Sequence, residues 1–150
     1  MPLASACLGD TSAGESPRMT RAAHVLVVDD APDFLSFMET LLTAEGYTVD
    51  VARTPEELHE RLALARPDAV ICDVRMPGQP AFAVLDVLAA DAKTRDIPVL
   101  VCTGAVQEVD LAQDRLRAAG VEVLFKPFEI EDLLTRLARC LHRGLDAGRG

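Results

Sequence analysis

Three nearly unbroken apolar runs, each followed by a stretch with helical periodicity, constrain this chain more than any other feature. They are His24-Val25-Leu26-Val27-Val28, Ala69-Val70-Ile71-Cys72 and Ile97 to Cys102. A strand that is apolar on both sides must be covered on both faces, the condition of a parallel sheet sandwiched by helices. Tyr47 to Val51 alternates like a more exposed strand, and Val121 to Phe125 makes another. Helical stripes lie between these runs. Phe34, Phe37, Met38, Leu41 and Leu42 recur at helical spacing before Gly46 closes the segment. Thr54-Pro55-Glu56-Glu57 is a capping box with proline at the first helical position, and Leu58, Leu62 and Ala65 follow on one face. Helices are also expected over Phe82 to Ala90, from about Val106 to Ala119, and on the stripe Ile130, Leu133, Leu134, Leu137 and Leu141.

Such strict alternation of strand and helix implies right-handed crossovers and an α/β sandwich of three layers, with helices on both faces of one parallel sheet. The 150 residues have room for one such domain, expected over 23–143. Residues 1–22 are rich in Pro, Ser, Gly, Thr and Ala without an apolar period and read as a disordered arm; 144–150 read as a flexible tail. Twenty-four acidic against fifteen basic side chains leave a net charge of −9, which argues against direct nucleic-acid binding and adhesion to anionic membranes. No apolar run reaches the length of a membrane span, and Met1 to Cys7 lacks the basic opening and apolar stretch of a signal peptide, so a cytoplasmic location is expected. Cys7, Cys72, Cys102 and Cys140 show no metal-binding spacing and read as free thiols.

In an open parallel sheet, ligands bind beyond the carboxyl ends of the strands where strand order reverses. The residues at those ends are Asp29-Asp30, Asp73, Thr103 and Lys126. Taken singly, each has a plain structural role: Asp30 as a helix cap, Asp73 and Thr103 as turn residues, Lys126 as an ion-pair partner. Their joint placement at four strand ends favours a shared site. Three carboxylates brought together repel by about 4 kcal/mol per pair at 4 Å and an effective dielectric near 20. Lys126 reduces the charge from −3 to −2, and a hard divalent cation would cancel the remainder. Magnesium suits an all-oxygen set that keeps waters and accepts a phosphate oxygen.

Residues 24–143 resemble a response-regulator receiver domain, the phosphoacceptor module of two-component signalling. The motifs VVDD (Val27 to Asp30), ICDVRMPG (Ile71 to Gly78), VCTGA (Val101 to Ala105) and LFKPF (Leu124 to Phe128) carry the resemblance. It implies a flavodoxin-like (βα)5 sandwich with strand order 2-1-3-4-5. It implies Asp73 as phosphoacceptor, Thr103 and Lys126 as the groups that respond to the phosphoryl group, and a cis Lys126-Pro127 bond. It also implies magnesium held by Asp29, Asp30, Asp73 and the backbone carbonyl of Arg75. The implied partners are a histidine kinase or histidine phosphotransfer protein upstream and a protein target downstream. The chain is expected to be a stand-alone switch, not an enzyme, that signals through the surface of its last helices. A receiver-like interaction module acting without phosphorylation is the alternative.

The pattern departs from the family in two places. Val123 stands where an aromatic residue is usual, with Phe125 on the same strand face about 6.6 Å further along. Pro80-Ala81 replaces the Asp-Gly that often precedes the third helix. Arg75 and Ala105 occupy the family's variable positions beside the site. An aspartyl phosphatase would need a D-x-D arrangement on the first strand and a nucleotide-binding domain a glycine-rich turn there. The chain has Asp29-Asp30-Ala31-Pro32 instead.

Overall fold

A computed structural model describes residues 22–149, so the arm expected over 1–22 lies, but for its last residue, outside the described residues. The strands are β1 (His24–Val28), β2 (Thr48–Ala52), β3 (Ala69–Cys72), β4 (Val99–Thr103) and β5 (Glu122–Phe125). The helices are α1 (Pro32–Ala44), α2 (Pro55–Leu64), α3 (Ala83–Ala89), α4 (Val106–Leu111), α5 (Gln113–Ala118) and α6 (Ile130–Arg149). The strands form one parallel sheet in the order β2-β1-β3-β4-β5. This is the flavodoxin-like topology.

Strand alternation divides the core into two layers. On one face Leu26, Val28, Val70, Cys72, Val99 and Val101 pack under Leu58, Leu85, Leu88, Val109 and Leu116, from α2 to α5. On the other, Val25, Val27, Ile71, Leu100, Cys102 and Leu124 pack under Leu35, Met38 and Leu42 of α1 and Leu133, Leu137 and Cys140 of α6. The central strands therefore read as unbroken apolar runs because both of their sides are inside. Edge strand β2 is covered less, with four of its five residues exposed or half-buried.

The local signals act as expected at α1 and α2. Thr54 Oγ1 accepts the Glu57 N–H at 3.1 Å, and Glu57 returns a carboxylate to the Arg53 N–H at 2.8 Å. Gly46 takes φ +96°, which lets the chain leave α1 and run straight into β2. Elsewhere the boundaries move. The helix expected from Val106 to Ala119 breaks at Ala112, whose φ of −104° and ψ of 15° lie outside the helical basin. The Ala112 N–H is shared between the Glu108 and Val109 carbonyls, a tightening that separates α4 from α5. Strand β4 starts at Val99, since Pro98 has no N–H to donate, although its carbonyl accepts from Val70. Helix α6 continues through Arg149, beyond the boundary expected at 143.

Helix α3 starts after Phe82 with φ +64°, an uncommon conformation for a bulky residue. Pro80-Ala81 leaves no glycine for this turn, and Phe82 takes the left-handed position itself. Three features hold it there. The residue is 7% exposed, its N–H donates to the Val74 carbonyl at 2.8 Å, and the Arg115 guanidinium lies 5.6 Å from the ring centroid.

Candidate functional site

The chain goes from β1 to β2 on one side and to β3 on the other, so β1 and β3 flank the point where strand order reverses. Asp29 follows β1 there. Its N–H extends the ladder to the Ala52 carbonyl at 3.1 Å, which fixes its backbone. Its side chain is buried, and both oxygens have partners: Oδ1 accepts the Ala31 N–H at 2.9 Å and Oδ2 accepts Lys126 Nζ at 3.0 Å. A buried carboxylate is tolerable on such terms.

Asp73 follows β3 and is half-buried. Its Oδ1 accepts the Thr103 hydroxyl at 2.6 Å and the Arg75 N–H at 3.3 Å, while Oδ2 accepts Lys126 Nζ at 3.1 Å. Thr103 is fully buried at the end of β4, and its Oγ1 also accepts the Ala105 N–H at 3.1 Å, just ahead of α4. Lys126 is positioned by its own N–H, which donates to the Thr103 carbonyl at 2.9 Å. The Lys126-Pro127 bond is cis.

Lys126 Nζ thus bridges both carboxylates, with the Phe34 ring 4.1 Å beneath it and Phe128 edge-on to that ring. Burial alone would lower its pKa. The Asp29 hydrogen bond and charge, joined by Asp73, outweigh burial and hold it above the ordinary lysine value. Neighbouring Cys72 and Cys102 are buried free thiols. Burial pushes the Cys102 thiol up to about 12 and Cys72 also upward. Neither is a thiolate near neutral pH, so neither adds a charge or a reactive sulfur to the site.

The structure therefore brings Asp29, Asp73, Thr103 and Lys126 together. Asp30 points elsewhere: it is exposed in the bend before α1 and has no hydrogen bond or ion pair among the described residues. It does not cap α1, whose N-cap is Ala31. Among the described residues, no group of three or more His, Cys, Asp or Glu side chains is arranged to hold a metal ion. The donor chemistry still fits magnesium. Two carboxylates share one cation, leaving −1, and Asp30 on the same loop makes the local charge −2. Every available ligand is a hard oxygen. Two contributors escaped the sequence reading: Phe34, which passes for an ordinary core position of α1, and Glu108, which pairs with Arg75 from 33 residues away.

A doubly wound parallel sheet with paired acids, a buried hydroxyl and a lysine at its switch point defines an α/β domain with an acidic pocket at the carboxyl ends of its strands. The chain belongs to the response regulator receiver domain family, whose model matches residues 25–138. It is 35% identical over 122 residues to response regulator MprA of Mycobacterium ulcerans, covering 81% of this chain and 51% of that protein. The chain thus spans about half the length of the curated relatives it matches. Chemotaxis response regulator CheY4 of Vibrio cholerae superposes with a TM-score of 0.70 at 30% identity, over 80% of this chain and 99% of that one. The signal receiver domain of a signal transduction histidine kinase from Syntrophus aciditrophicus gives 0.70 at 28% identity, over 81% and 91%. No helix among the described residues is long and apolar enough to cross a membrane.

Proposed function

We propose that Asp73 accepts a phosphoryl group from a phosphohistidine on a histidine kinase or histidine phosphotransfer protein. The observation that carries this reading is the unequal treatment of two carboxylates on one ammonium. Side-chain exposure is 3% for Asp29 and 17% for Asp73. Asp29 has both oxygens engaged and almost no path to an incoming group. Asp73 keeps access to solvent, with Thr103 and Lys126 already aimed at its oxygens.

In the step itself an Asp73 carboxylate oxygen attacks phosphorus and forms the O–P bond. The P–N bond to the donor imidazole breaks, and its electron pair returns to the ring nitrogen. Such transfers depend on alignment and neutralisation more than on proton movement. Magnesium, held by Asp29, Asp73 and the Arg75 carbonyl with Asp30 turned in from its exposed bend, would supply charge neutralisation when bound. The carboxylate changes from −1 to an acyl phosphate near −2. Lys126 and the Thr103 hydroxyl then follow the new oxygens, and Thr103 carries the shift to Ala105 at the start of α4. The readout is a protein target that contacts the surface of the last helices, and the cytoplasm is where the donor would meet it.

Intact-mass spectrometry after acetyl phosphate and magnesium tests the proposal. One phosphoryl adduct is expected on the native protein and none on Asp73→Asn. An adduct retained by Asp73→Asn would refute the assignment, as would its absence from the native protein with both acetyl phosphate and phosphohistidine donors.

A further inference from the structure

Two of the connections that leave Asp73 lead to α4. One passes through Thr103 Oγ1 to the Ala105 N–H, just ahead of the helix. The other passes through Arg75, whose N–H donates to Asp73 Oδ1 and whose guanidinium pairs with Glu108, one turn inside the helix. The Arg75 side chain is 66% exposed and that of Glu108 25%, so the pair lies across the rim of the site. The Arg75 hydrogen bond holds the Glu108 carboxyl below the usual glutamate range.

Helix α4 is otherwise weakly held. It has six residues, its N-cap makes no side-chain hydrogen bond, and Val109 is its one buried residue. Val106 is 57% exposed and Leu111 88%. The break at Ala112 separates it from α5, which has its own anchors: Leu116 is buried, and Arg115 both pairs with Asp86 of α3 and lies over the Phe82 ring. A short helix with one buried side chain belongs to the low-stability end of a fold, where one further contact shifts its population.

We propose that the Arg75–Glu108 ion pair is a latch that holds α4 against the resting site, and that a phosphoryl group on Asp73 opens it by drawing the Arg75 guanidinium away from Glu108. The inference rests on Asp73 as the phosphoacceptor. Arg75 is two residues from Asp73, so a new dianion there competes directly with the single charge of Glu108. Release frees the segment 106–111, with Val106 and Leu111 already facing outward, while α5 stays in place. Arg75 acts here as a positioning residue, coupling the site to the helix.

Competition makes the coupling reciprocal: whatever phosphorylation does to the latch, loss of the latch does to phosphoryl binding. The test uses the full-length isotope-labelled protein and beryllium trifluoride with magnesium as the phosphoryl mimic. Amide signals of residues 104–112 report binding, and hydrogen exchange of 106–111 is measured without mimic. Glu108→Gln is expected to raise resting exchange about two- to fivefold and to lower the mimic's midpoint by the same factor, as suits an exposed ion pair. Arg75→Gln is expected to raise exchange equally but not to lower the midpoint, because it removes the phosphoryl contact together with the latch. Equal midpoints in wild type and Glu108→Gln would overturn the latch alone, as would tightening in both variants, which general loosening produces. No response to the mimic in any form, including wild type, would overturn the phosphoacceptor reading and the latch with it.

Discussion

Lys126→Met keeps an unbranched side chain of similar bulk and removes the cation that Asp29 and Asp73 share. The ammonium lies 3.0 Å from Asp29 and 3.1 Å from Asp73. Each contact amounts to about 5 kcal/mol of Coulomb energy at an effective dielectric near 20, most of it offset by the cost of drawing the charges out of water. The variant leaves the other side of that balance uncompensated. Asp29, 2% exposed, keeps the Ala31 N–H and faces a second carboxylate. Removing one partner of a buried pair costs about 3–5 kcal/mol. The Lys126 side chain retains 28% exposure, which lets water screen part of the loss. A loss of about 2–4 kcal/mol near neutral pH follows.

The pH dependence separates this cause from mere loss of packing. Lys126 is held above the ordinary lysine value of 10.5. A cation with a raised folded pKa contributes its full stability below the unfolded value and loses it as pH rises through the folded one. Urea denaturation of the two proteins should therefore show a constant gap up to about pH 10 that narrows at higher pH. A gap below about 0.5 kcal/mol at neutral pH, or one that persists unchanged into the alkaline range, would refute the reasoning. Magnesium should narrow the gap as well, since a bound cation takes over the neutralisation.

Two other substitutions test the frame around the site. Phe82→Ala is expected to cost about 3–5 kcal/mol for the buried ring, and Phe82→Gly about 1 kcal/mol less, because only glycine occupies a φ of +64° without strain. A glycine variant less stable than the alanine variant in urea titration would show that the left-handed turn is not what separates them. Leu137→Ala empties a fully buried position between α6 and the sheet and is expected to cost about 2–5 kcal/mol. A loss under about 1 kcal/mol by the same measurement would mean that α6 does not close that layer of the core.

The fold was legible because two periods alternate and each has a geometric meaning. Val25 and Val27 face α1 and α6 while Leu26 and Val28 face the helices opposite, so an unbroken apolar run could only be an inner strand. Asp29, Asp73, Thr103 and Lys126 could be placed together for a related reason, since a parallel sheet delivers the ends of its strands to one edge. The same logic explains Asp30. Neighbouring residues at the end of a strand point to opposite sides, so when Asp29 turns inward Asp30 turns out. Features that depend on contacts distant in sequence left no pattern to read. The Arg75–Glu108 pair spans 33 residues, and the break at Ala112 contains neither glycine nor proline.

Asp29 and Asp73 have the same functional group, approach the same ammonium and differ in distance to it by 0.1 Å, from 3.0 to 3.1 Å. Their chemistry must therefore be set by what surrounds the other oxygen. For Asp29 that partner is the Ala31 N–H, fixed by the start of α1. For Asp73 it is the Arg75 N–H together with the closer hydroxyl of Thr103, whose hydrogen bond can rotate away or follow a new oxygen. Exchanging the two environments would be expected to exchange the roles. A carboxylate whose second oxygen is bonded only to backbone is an anchor, whereas one that shares a hydroxyl with the approach to α4 can report a change in its own charge. If the proposed phosphorylation occurs, moving the protein from mostly off to mostly on requires about 5.5 kcal/mol of differential stabilisation. Charge-assisted hydrogen bonds of about 1.5–3 kcal/mol each from Lys126, Thr103 and Arg75 reach that sum only if at least two re-form in the modified state. Loss of any two of them should thus leave a switch that still accepts the phosphoryl group but is incompletely turned by it.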